Sequence, residues 1–353
     1  MKLAIVDDLG NAADSVVTDA PGDVGAVAEE FIAEHGCVDA VGVRVVHGGA
    51  AFDHAVVVTA DVLAQLEPLG DLAPLHNPPA VAAMRSLLQR MPGTPVVACF
   101  DTAFHATMPA EASTYAIPER WRRAWGIRRF GFHGLNHAYV SRRAAQLLGR
   151  EGDPSLRLVT AHLGAGASLA AVAGGRSVDT TMGFTPMDGL VMATRSGALD
   201  PGAVLWLLQH TPLTAAAIGQ ALAHESGLLG LGGSADMRDV VNRAASGDAR
   251  CILARDVYVH RLCSLVGAMV ASLGGIDGLV FTGGVGEGSA EIRRRAVERL
   301  AFLGAEITAE ANDHHPPGDA IISPAASPVA VMVIAAREDV EIARQVRDVV
   351  NGR

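Results

Sequence analysis

Short apolar runs alternate with longer amphipathic segments along most of this chain. Uninterrupted apolar runs are typical of buried strands, whereas apolar residues that recur three and four positions apart are typical of helices. This pattern predicts strands at 41–46, 96–100, 158–162, 168–172, 279–282 and 329–334. It predicts helices at 24–35, 79–90, 138–148, 202–210, 236–245, 249–273, 290–300 and 338–350. Because strands and helices alternate, we predict an α/β fold.

The most apolar window of the chain, 262–281, is as long as a membrane span. However, Gly274, Gly275 and Asp277 interrupt this window, and the apolar residues before the interruption recur at helical spacing. We therefore predict a buried helix, a turn and a core strand here rather than a membrane-spanning helix.

The basic residues are almost all arginines. Of the 28 basic residues, 27 are arginines and one is a lysine, Lys2. P-loop NTPases, protein kinases and Schiff-base enzymes each need a lysine at their site, so these classes are excluded. The 38 acidic residues give a net charge of −10, which argues against nucleic acid as a partner. An anionic substrate would have to be bound by arginine, helix N-termini or a metal ion.

Cysteine usage and the N-terminus predict a cytoplasmic protein. The four cysteines are scattered without a CxxC pair, which is the pattern of free thiols in a reducing compartment rather than of disulfides or a zinc site. The first apolar run is short and ends at Asp7 and Asp8, unlike a signal peptide. We expect no membrane partner.

Two glycine-rich loops each follow a predicted strand, at 162–166 and at 282–288. A backbone rich in glycine can approach phosphate groups closely. Either loop alone is typical of an ordinary tight turn, and the second lacks GxGxxG spacing. Their occurrence together, with a helix predicted after the second, favours a nucleotide site.

Four charged residues are candidates for chemistry. Arg44 lies inside a predicted strand, Asp101 ends another, Glu338 follows a third, and Arg195 lies among small residues. A buried guanidinium needs a partner, which for Arg44 is either a structural carboxylate or an anionic ligand. The other three also have plain structural explanations: a surface arginine, an N-cap aspartate and a first-turn glutamate.

His133 and His137 are four residues apart, as in HExxH zinc sites. Gly134 stands where such a site has its glutamate, and no third ligand is evident, which argues against a zinc hydrolase. His133 as a hydrogen-bond donor to an anion fits better, because Arg128 and Arg129 lie just upstream. The chain has no GxSxG motif, which excludes an α/β-hydrolase nucleophile.

The ordered motifs of this chain resemble those of the acetate kinase family, from about Val41 to about Val346. The motifs that carry the resemblance are 44–49 (RVVHGG), 73–79 (APLHNPP), 100–105 (FDTAFH), 131–134 (GFHG), 162–166 (HLGAG), 177–180 (SVDT), 182–186 (MGFTP), 194–197 (TRSG), 236–238 (DMR), 281–287 (FTGGVGE) and 337–339 (RED).

The resemblance implies a fold of the sugar-kinase, Hsp70 and actin type, with two α/β domains around a cleft, in a homodimer. We place the acyl-substrate side at 1–103 plus 340–353 and the nucleotide-binding domain at 104–339. The implied activity is reversible, Mg²⁺-dependent transfer of phosphate from ATP to acetate, or to a similar short-chain acid such as propionate, giving an acyl phosphate and ADP.

The resemblance also implies roles for individual residues. Asp101, His133 and Arg195 would be catalytic, and Glu338 would hold Mg²⁺. Acyl-substrate binding would involve Arg44, Val46, Leu75, Phe132 and Pro186. ATP binding would involve His162, Leu163, Gly164, Ala165, Gly166, Asp236, Met237, Arg238, Gly284, Val285, Gly286, Glu287 and Gly288. A substrate carboxylate is already ionised at neutral pH, so we expect Asp101 to orient Mg²⁺-bound water or an arginine rather than remove a proton.

The sequence departs from the family at its N-terminus. The family's Asn-x-Gly-Ser-Ser-Ser hairpin has no counterpart in residues 9–15, so we predict that this hairpin is missing. Ala165 and Ala167 stand where the family has Asn and Ser. Either the start is truncated relative to the gene's product, or the chain is a catalytically impaired nucleotide-binding paralogue. We favour the first explanation because the arginines and acidic groups are otherwise intact.

Overall fold

The computed structural model describes residues 2–7, 12–17, 24–36, 38–74, 76–314 and 318–352. The chain forms two compact units. The first consists of Met1–Ala106, Phe132–Tyr139 and Arg337–Arg353, and the second of Thr107–Gly131 and Val140–Ala336. The functional division of the chain into an acyl-substrate side and a nucleotide side stays a prediction.

The strands and helices are numbered in chain order. The strands are β1 (Lys2–Val6), β2 (Ala12–Val17), β3 (Val41–Val45), β4 (Val56–Val57), β5 (Val96–Phe100), β6 (Arg157–Leu163), β7 (Ala167–Ala173), β8 (Arg176–Thr180), β9 (Gly278–Thr282), β10 (Ala320–Ile321) and β11 (Ala330–Val333). The helices are α1 (Val24–His35), α2 (Ala60–Leu66), α3 (Asn77–Arg90), α4 (Ala110–Ser113), α5 (Glu119–Trp125), α6 (Gly134–Leu147), α7 (Pro201–His210), α8 (Ala215–His224), α9 (Gly227–Gly232), α10 (Met237–Ala245), α11 (Ala249–Leu273), α12 (Gly283–Gly288), α13 (Ala290–Arg299), α14 (Ala309–His314) and α15 (Glu338–Val350). Short 3₁₀ helices lie at Glu67–Leu72, Ala103–Thr107 and Ala301–Leu303.

Strand β5 is the centre of the first unit. It pairs with β3 in parallel and with β4 in antiparallel orientation. Its alternate residues Val96, Ala98 and Phe100 pack in one buried cluster with α2 and α3, whereas Val97 and Cys99 pack in another with α15. Both faces are therefore covered, which explains why β5 is an unbroken apolar run. Because β3 and β5 are parallel, the residues at their carboxyl ends lie at one edge.

The predicted absence of an N-terminal hairpin is wrong at the level of the backbone. Strands β1 and β2 pair as an antiparallel hairpin, with Leu3 packed against the core of the first unit. Lys2 lies 3.5 Å from the Asp339 carboxylate at the start of α15. The Asn-x-Gly-Ser-Ser-Ser motif itself is still absent from the sequence. A two-stranded ribbon needs no long apolar run, so the polar residues of β2 concealed it from the pattern.

A six-stranded sheet in the order β10-β11-β9-β6-β7-β8 forms the second unit. Strands β11, β9 and β6 are parallel to one another, and β7 and β8 extend the sheet as antiparallel strands. Helix α11 is long and apolar enough to cross a membrane by length and composition. One face of it, including Leu262 and Val266, is buried within this unit. A turn at Gly274 then leads to β9, which confirms the predicted helix, turn and core strand.

Candidate active site

Arg44, Asp101 and Glu338 lie together in the first unit. Arg44 is on β3, and Asp101 follows β5, where its backbone N–H donates to the Val45 carbonyl. Arg44 Nε donates to both Asp101 carboxylate oxygens at 3.0 and 3.2 Å, and Nη2 donates to Oδ2 at 2.7 Å. Arg44 Nη1 lies 3.9 Å from Glu338 Oε1. The parallel pairing of β3 and β5 thus brings together residues that are far apart in sequence.

This cluster combines a buried anion with an accessible cation. Asp101 is 1% exposed, whereas the Arg44 side chain is 39% exposed. The Asp101 carboxylate raises the pKa of Arg44 above its usual value, and the Glu338 charge adds to this effect although partial burial opposes it. Arg44 therefore stays cationic and keeps part of its guanidinium accessible to an anion. Of the two partners considered for Arg44, the structure supplies the carboxylate and leaves room for a ligand.

Glu338 begins α15 and is a different kind of carboxylate from Asp101. Its side chain is 26% exposed, and it makes no hydrogen bond to another residue in the described parts of the chain. Mg²⁺ in phosphate-transferring sites takes one or two protein carboxylates and otherwise keeps water and phosphate oxygens. A half-buried carboxylate that no protein donor occupies fits this requirement. The described residues contain no group of three histidine, cysteine, aspartate or glutamate side chains that could hold a metal ion.

His133 has an unusual backbone conformation. Its φ is +55°, and no other non-glycine residue among those described has a positive φ. This left-handed conformation costs roughly 1–2 kcal/mol for a residue with a Cβ. His133 directly precedes α6, which begins at Gly134, four residues before the predicted start. Gly134 donates to the Asp101 carbonyl at 2.9 Å, and a Cβ at Gly134 would collide with that oxygen. This close contact holds the backbone that follows His133 against Asp101.

The residues expected to surround the acyl group have different environments. Val46 is half-buried just after β3. Phe132 is 1% exposed, and its ring meets the His47 ring edge-on at 5.4 Å. Pro186 is half-buried in the second unit, and its carbonyl accepts a hydrogen bond from Arg195. Leu75 lies outside the described residues.

The two glycine-rich loops meet at one edge of the large sheet. Strands β6 and β9 are parallel neighbours, with His162 opposite Thr282, so both loops leave the sheet side by side. The first loop is a hairpin turn, in which Gly164 N–H donates to the Gly166 carbonyl. The second forms the short helix α12, and a Cβ at Gly283 would lie 2.9 Å from the Leu163 carbonyl. The structure therefore brings together the two loops that the sequence predicts to face phosphate.

Arg195 lies in a segment that adjoins the first of these loops. Ala193 N–H donates to the Ala165 carbonyl at 3.1 Å, and Arg195 Nη1 donates to the Pro186 carbonyl at 2.8 Å. Within the described residues, no carboxylate lies in ion-pair range of Arg195. Burial lowers the pKa of its guanidinium for the same reason, because no anion offsets the loss of solvation. A half-buried arginine without an anionic partner is suited to bind an anionic ligand.

The segment 236–238 forms the start of α10. Asp236 is the N-cap of α10, accepting from the Arg238 N–H at 2.8 Å, and the two side chains form an ion pair with each other. Both are exposed, while Met237 is 4% exposed. The described residues show no hydrogen bond from this segment to either glycine-rich loop. The predicted helix at 236–245 therefore begins one residue later, with Asp236 as its cap.

Two arginines that the motifs left without a role each hold a backbone segment of the second unit in place, and one of them, Arg293, supports the second glycine-rich loop. Arg129 Nη1 donates to three successive carbonyls, those of Thr180, Thr181 and Met182. Arg293, which is 1% exposed, donates from Nη1 to the Gly286 and Glu287 carbonyls at 2.9 and 2.7 Å. Arg129, one of the two arginines just upstream of His133, therefore supports the backbone at 180–182 rather than forming an open anion site. The one available signal for Arg293 was its helical position on the apolar face of α13.

Comparisons with known proteins agree with these observations. Residues 24–344 match the model of the acetokinase family. An acetate kinase from Nostoc sp. (strain PCC 7120) is 49% identical over 309 residues, which is 87% of this chain and 76% of that protein. An acetate kinase from Deinococcus radiodurans is 47% identical over 326 residues, 92% of this chain and 81% of that protein.

Solved structures give the same result for the fold. The structure of an acetate kinase from Porphyromonas gingivalis has a TM-score of 0.87 at 37% identity and covers 99% of this chain and 90% of that one. A propionate kinase from Francisella tularensis has a TM-score of 0.85 at 40% identity and covers 92% of this chain and 83% of that one. The α/β fold class predicted from the sequence is confirmed.

Proposed function

This chain belongs to the acetokinase family, and on that premise we propose that it transfers the γ-phosphoryl group of ATP to acetate or a similar short-chain carboxylate. The products are an acyl phosphate and ADP, and the reaction is reversible. The observation that carries the assignment is the assembly of the family's Arg44, Asp101 and Glu338 into one cluster. No observation supports the alternative of an impaired paralogue.

Binding of the carboxylate substrate requires no proton transfer by the protein. A short carboxylic acid has a pKa near that of a glutamate side chain, about 4 to 5, so the substrate is already an anion at neutral pH. Arg44 binds this carboxylate through the part of its guanidinium that Asp101 does not occupy. Asp101 holds Arg44 in place, because both of its oxygens already accept hydrogen bonds from that residue.

The transferring phosphoryl group needs cations rather than covalent chemistry. One substrate oxygen forms a bond to the γ-phosphorus while the bond from phosphorus to the bridging oxygen of ADP breaks, and negative charge spreads over the three other oxygens. We assign Arg195 to these oxygens because it carries a positive charge that no carboxylate among the described residues neutralises. We assign His133 as a hydrogen-bond donor to the same transition state.

The remaining roles follow from the second unit and from Glu338. The loop at 162–166 cradles the phosphates, and Asp236, Met237, Arg238 and the loop at 284–288 line the nucleoside. Glu338 would hold Mg²⁺, which when bound supplies positive charge to the phosphate oxygens. Val46, Phe132 and Pro186 contact the apolar end of the substrate. Since one methylene changes binding by only about 1–3 kcal/mol, propionate is an alternative substrate.

Arg293 offers a test of the nucleotide assignment. Replacing it with methionine leaves the Gly286 and Glu287 carbonyls and Asn312 Oδ1 without their buried donor. We expect a loss of about 2–4 kcal/mol in the free energy of unfolding. We also expect the KM for ATP to rise about tenfold, with a smaller change in the KM for acetate, because the Gly284 to Gly288 backbone shifts.

The matched control is Arg294→Met on the same helix. Arg294 is partly exposed and forms ion pairs with Glu291 and Glu298 at the surface, so its loss costs about 0–1 kcal/mol. Equal effects of the two substitutions on urea unfolding and on the KM for ATP would contradict the role given to Arg293.

We also propose that the chain acts in the cytoplasm, which its scattered cysteines support, and that it forms a homodimer, which the surface of α7 supports. None of the residues of this helix is buried, and its apolar residues Leu205 and Trp206 are 55% and 56% exposed. Leu199 and Leu213, which flank the helix, are exposed as well. Such a concentration of apolar side chains is typical of an interface. Trp206→Glu should convert a dimer to a monomer in light scattering, while Phe302→Glu, at an exposed residue outside α7, should not. A monomeric wild-type protein would refute the proposal.

The function itself is tested by trapping the product. The purified chain is incubated with Mg²⁺, ATP and acetate, propionate or butyrate, and hydroxylamine converts any acyl phosphate to a coloured hydroxamate complex with iron. We expect product with acetate and propionate. Absence of hydroxamate with all three acids at saturating ATP would refute the proposed activity.

A further inference from the structure

We propose that His105 is a positioning residue for His133, which it holds in its left-handed conformation through the intervening peptide group. His105 follows β5, in the 3₁₀ helix Ala103–Thr107, and is fully buried. Its Nε2 lies 3.0 Å from the Phe132 carbonyl oxygen. Because a carbonyl can only accept, His105 Nε2 carries the proton and donates it. The inference rests on the catalytic role proposed for His133.

The position of the two peptide planes explains why this bond matters. The Phe132 carbonyl and the His133 N–H belong to one rigid peptide plane, and the His133 carbonyl and the Gly134 N–H belong to the next. The rotation of these two planes about the His133 Cα defines its φ and ψ. His105 fixes the first plane, and the Asp101 carbonyl, which accepts from Gly134 N–H at 2.9 Å, fixes the second.

Both holding groups come from the segment that follows β5. The second plane is fixed twice, because His137 N–H also donates to the His133 carbonyl at 2.9 Å. The first plane is fixed by the His105 side chain, which donates a hydrogen bond to the Phe132 carbonyl. The φ of +55° at His133 needs such over-determination, since an unsupported residue with a Cβ would relax to negative φ.

The surroundings of His105 keep it a donor. Its ring packs edge-on against the His137 ring at 5.6 Å and against the Phe104 ring at 5.5 Å. Burial lowers its pKa to about 4, opposed in part by the hydrogen bond to Phe132. The imidazole is therefore neutral at pH 6 to 8, with one N–H that the Phe132 carbonyl orients. It supports His133 without contributing a charge to the site.

The test is a double-mutant cycle in the full-length chain. His105→Phe keeps a buried ring and removes the donor, and His133→Asn removes the imidazole while keeping a residue that tolerates positive φ. We expect His105→Phe to lower kcat by about tenfold to a hundredfold, with the KM values for acetate and ATP within about threefold. In the His133→Asn background, the same substitution should lower kcat by less than about threefold, because its target is gone.

Further variants separate positioning from a general structural role. His105→Gln retains an N–H donor, so its kcat should be at least about fivefold higher than that of His105→Phe. In the His133→Asn background, His105→Gln should cause no further loss of kcat. The exposed His54 provides the control, His54→Phe, with unchanged kcat. Thermal unfolding and circular dichroism identify any variant that fails to fold. If His105→Phe fails to fold, the double-mutant cycle of His105→Gln with His133→Asn tests the inference instead.

Two outcomes would overturn the inference. One is an equal loss of kcat from the His105 substitution in both backgrounds, and the other is a His105→Phe enzyme with wild-type kcat. An inactive wild-type chain in the hydroxylamine assay would instead refute the proposed function. Activity that survives His133→Asn undiminished would refute the role of His133, so the separate failures are distinguishable.

Discussion

Replacing Arg195 with glutamine should lower kcat for acyl phosphate formation by about a thousandfold or more, as expected for an arginine that stabilises a transferring phosphoryl group. The free energy of unfolding should fall by less than about 0.5 kcal/mol, or rise, because the substitution removes a desolvated charge without an ion-pair partner. Arg195 Nη1 donates a hydrogen bond to the Pro186 carbonyl, and a glutamine amide can replace a bond of that kind. The result would separate catalysis from stability at one residue.

The measurement combines steady-state kinetics with urea unfolding. Arg195→Lys keeps the charge and loses the planar fork, so it should recover part of the lost activity without reaching the wild-type value. Arg176, an exposed residue at the start of β8, provides the control Arg176→Gln, with wild-type kcat. Wild-type kcat in Arg195→Gln would contradict the assignment, as would a large loss of stability.

Replacing Arg44 with lysine should lower both activity and stability, unlike the Arg195 substitution, which should lower activity alone. The guanidinium holds both oxygens of a carboxylate that is 1% exposed, and a single ammonium cannot span them. We expect the free energy of unfolding to fall by about 2–3 kcal/mol, less than for a fully buried pair because Arg44 is partly exposed. We expect kcat/KM for acetate to fall by about a hundredfold or more.

Asp101→Asn completes the comparison at this pair. It keeps the shape of the side chain and removes the charge, so Arg44 loses an ion pair and part of its orientation. We expect kcat to fall while the KM for ATP changes little. If Arg44→Lys kept kcat/KM for acetate within about threefold of wild type, the carboxylate-binding role of Arg44 would be wrong.

Elements with a strong pattern could be predicted from the sequence, whereas short or polar ones could not. The predicted bounds of β5, α1, α11 and α15 agree with the structure, because each has a long apolar face or run against a core. Strand β4 has only two residues, and β8 carries Arg176 and Asp179, so neither has the apolar run that marks a buried strand. The hairpin β1-β2 was missed for the same reason.

The site shows a similar division. Arg44, Asp101 and the two glycine-rich loops were recognisable because charged residues and glycines at the ends of apolar strands are unusual there. The supporting groups His105, Arg129 and Arg293 were not, since a side chain that donates to a distant carbonyl leaves no spacing in the sequence. The positive φ of His133 was also hidden, because most histidines have a negative φ and no spacing in the sequence marks the exception.

Tracing the oxygen of the substrate tests the central claim most directly. The chain is incubated with Mg²⁺, ATP and acetate labelled with ¹⁸O in its carboxylate, and the products are followed by ³¹P NMR. We expect acetyl phosphate whose phosphorus resonance carries the isotope shift of one directly bonded ¹⁸O, together with ADP, because the carboxylate oxygen attacks the γ-phosphorus. Release of ADP and unlabelled inorganic phosphate without acetyl phosphate would contradict the account.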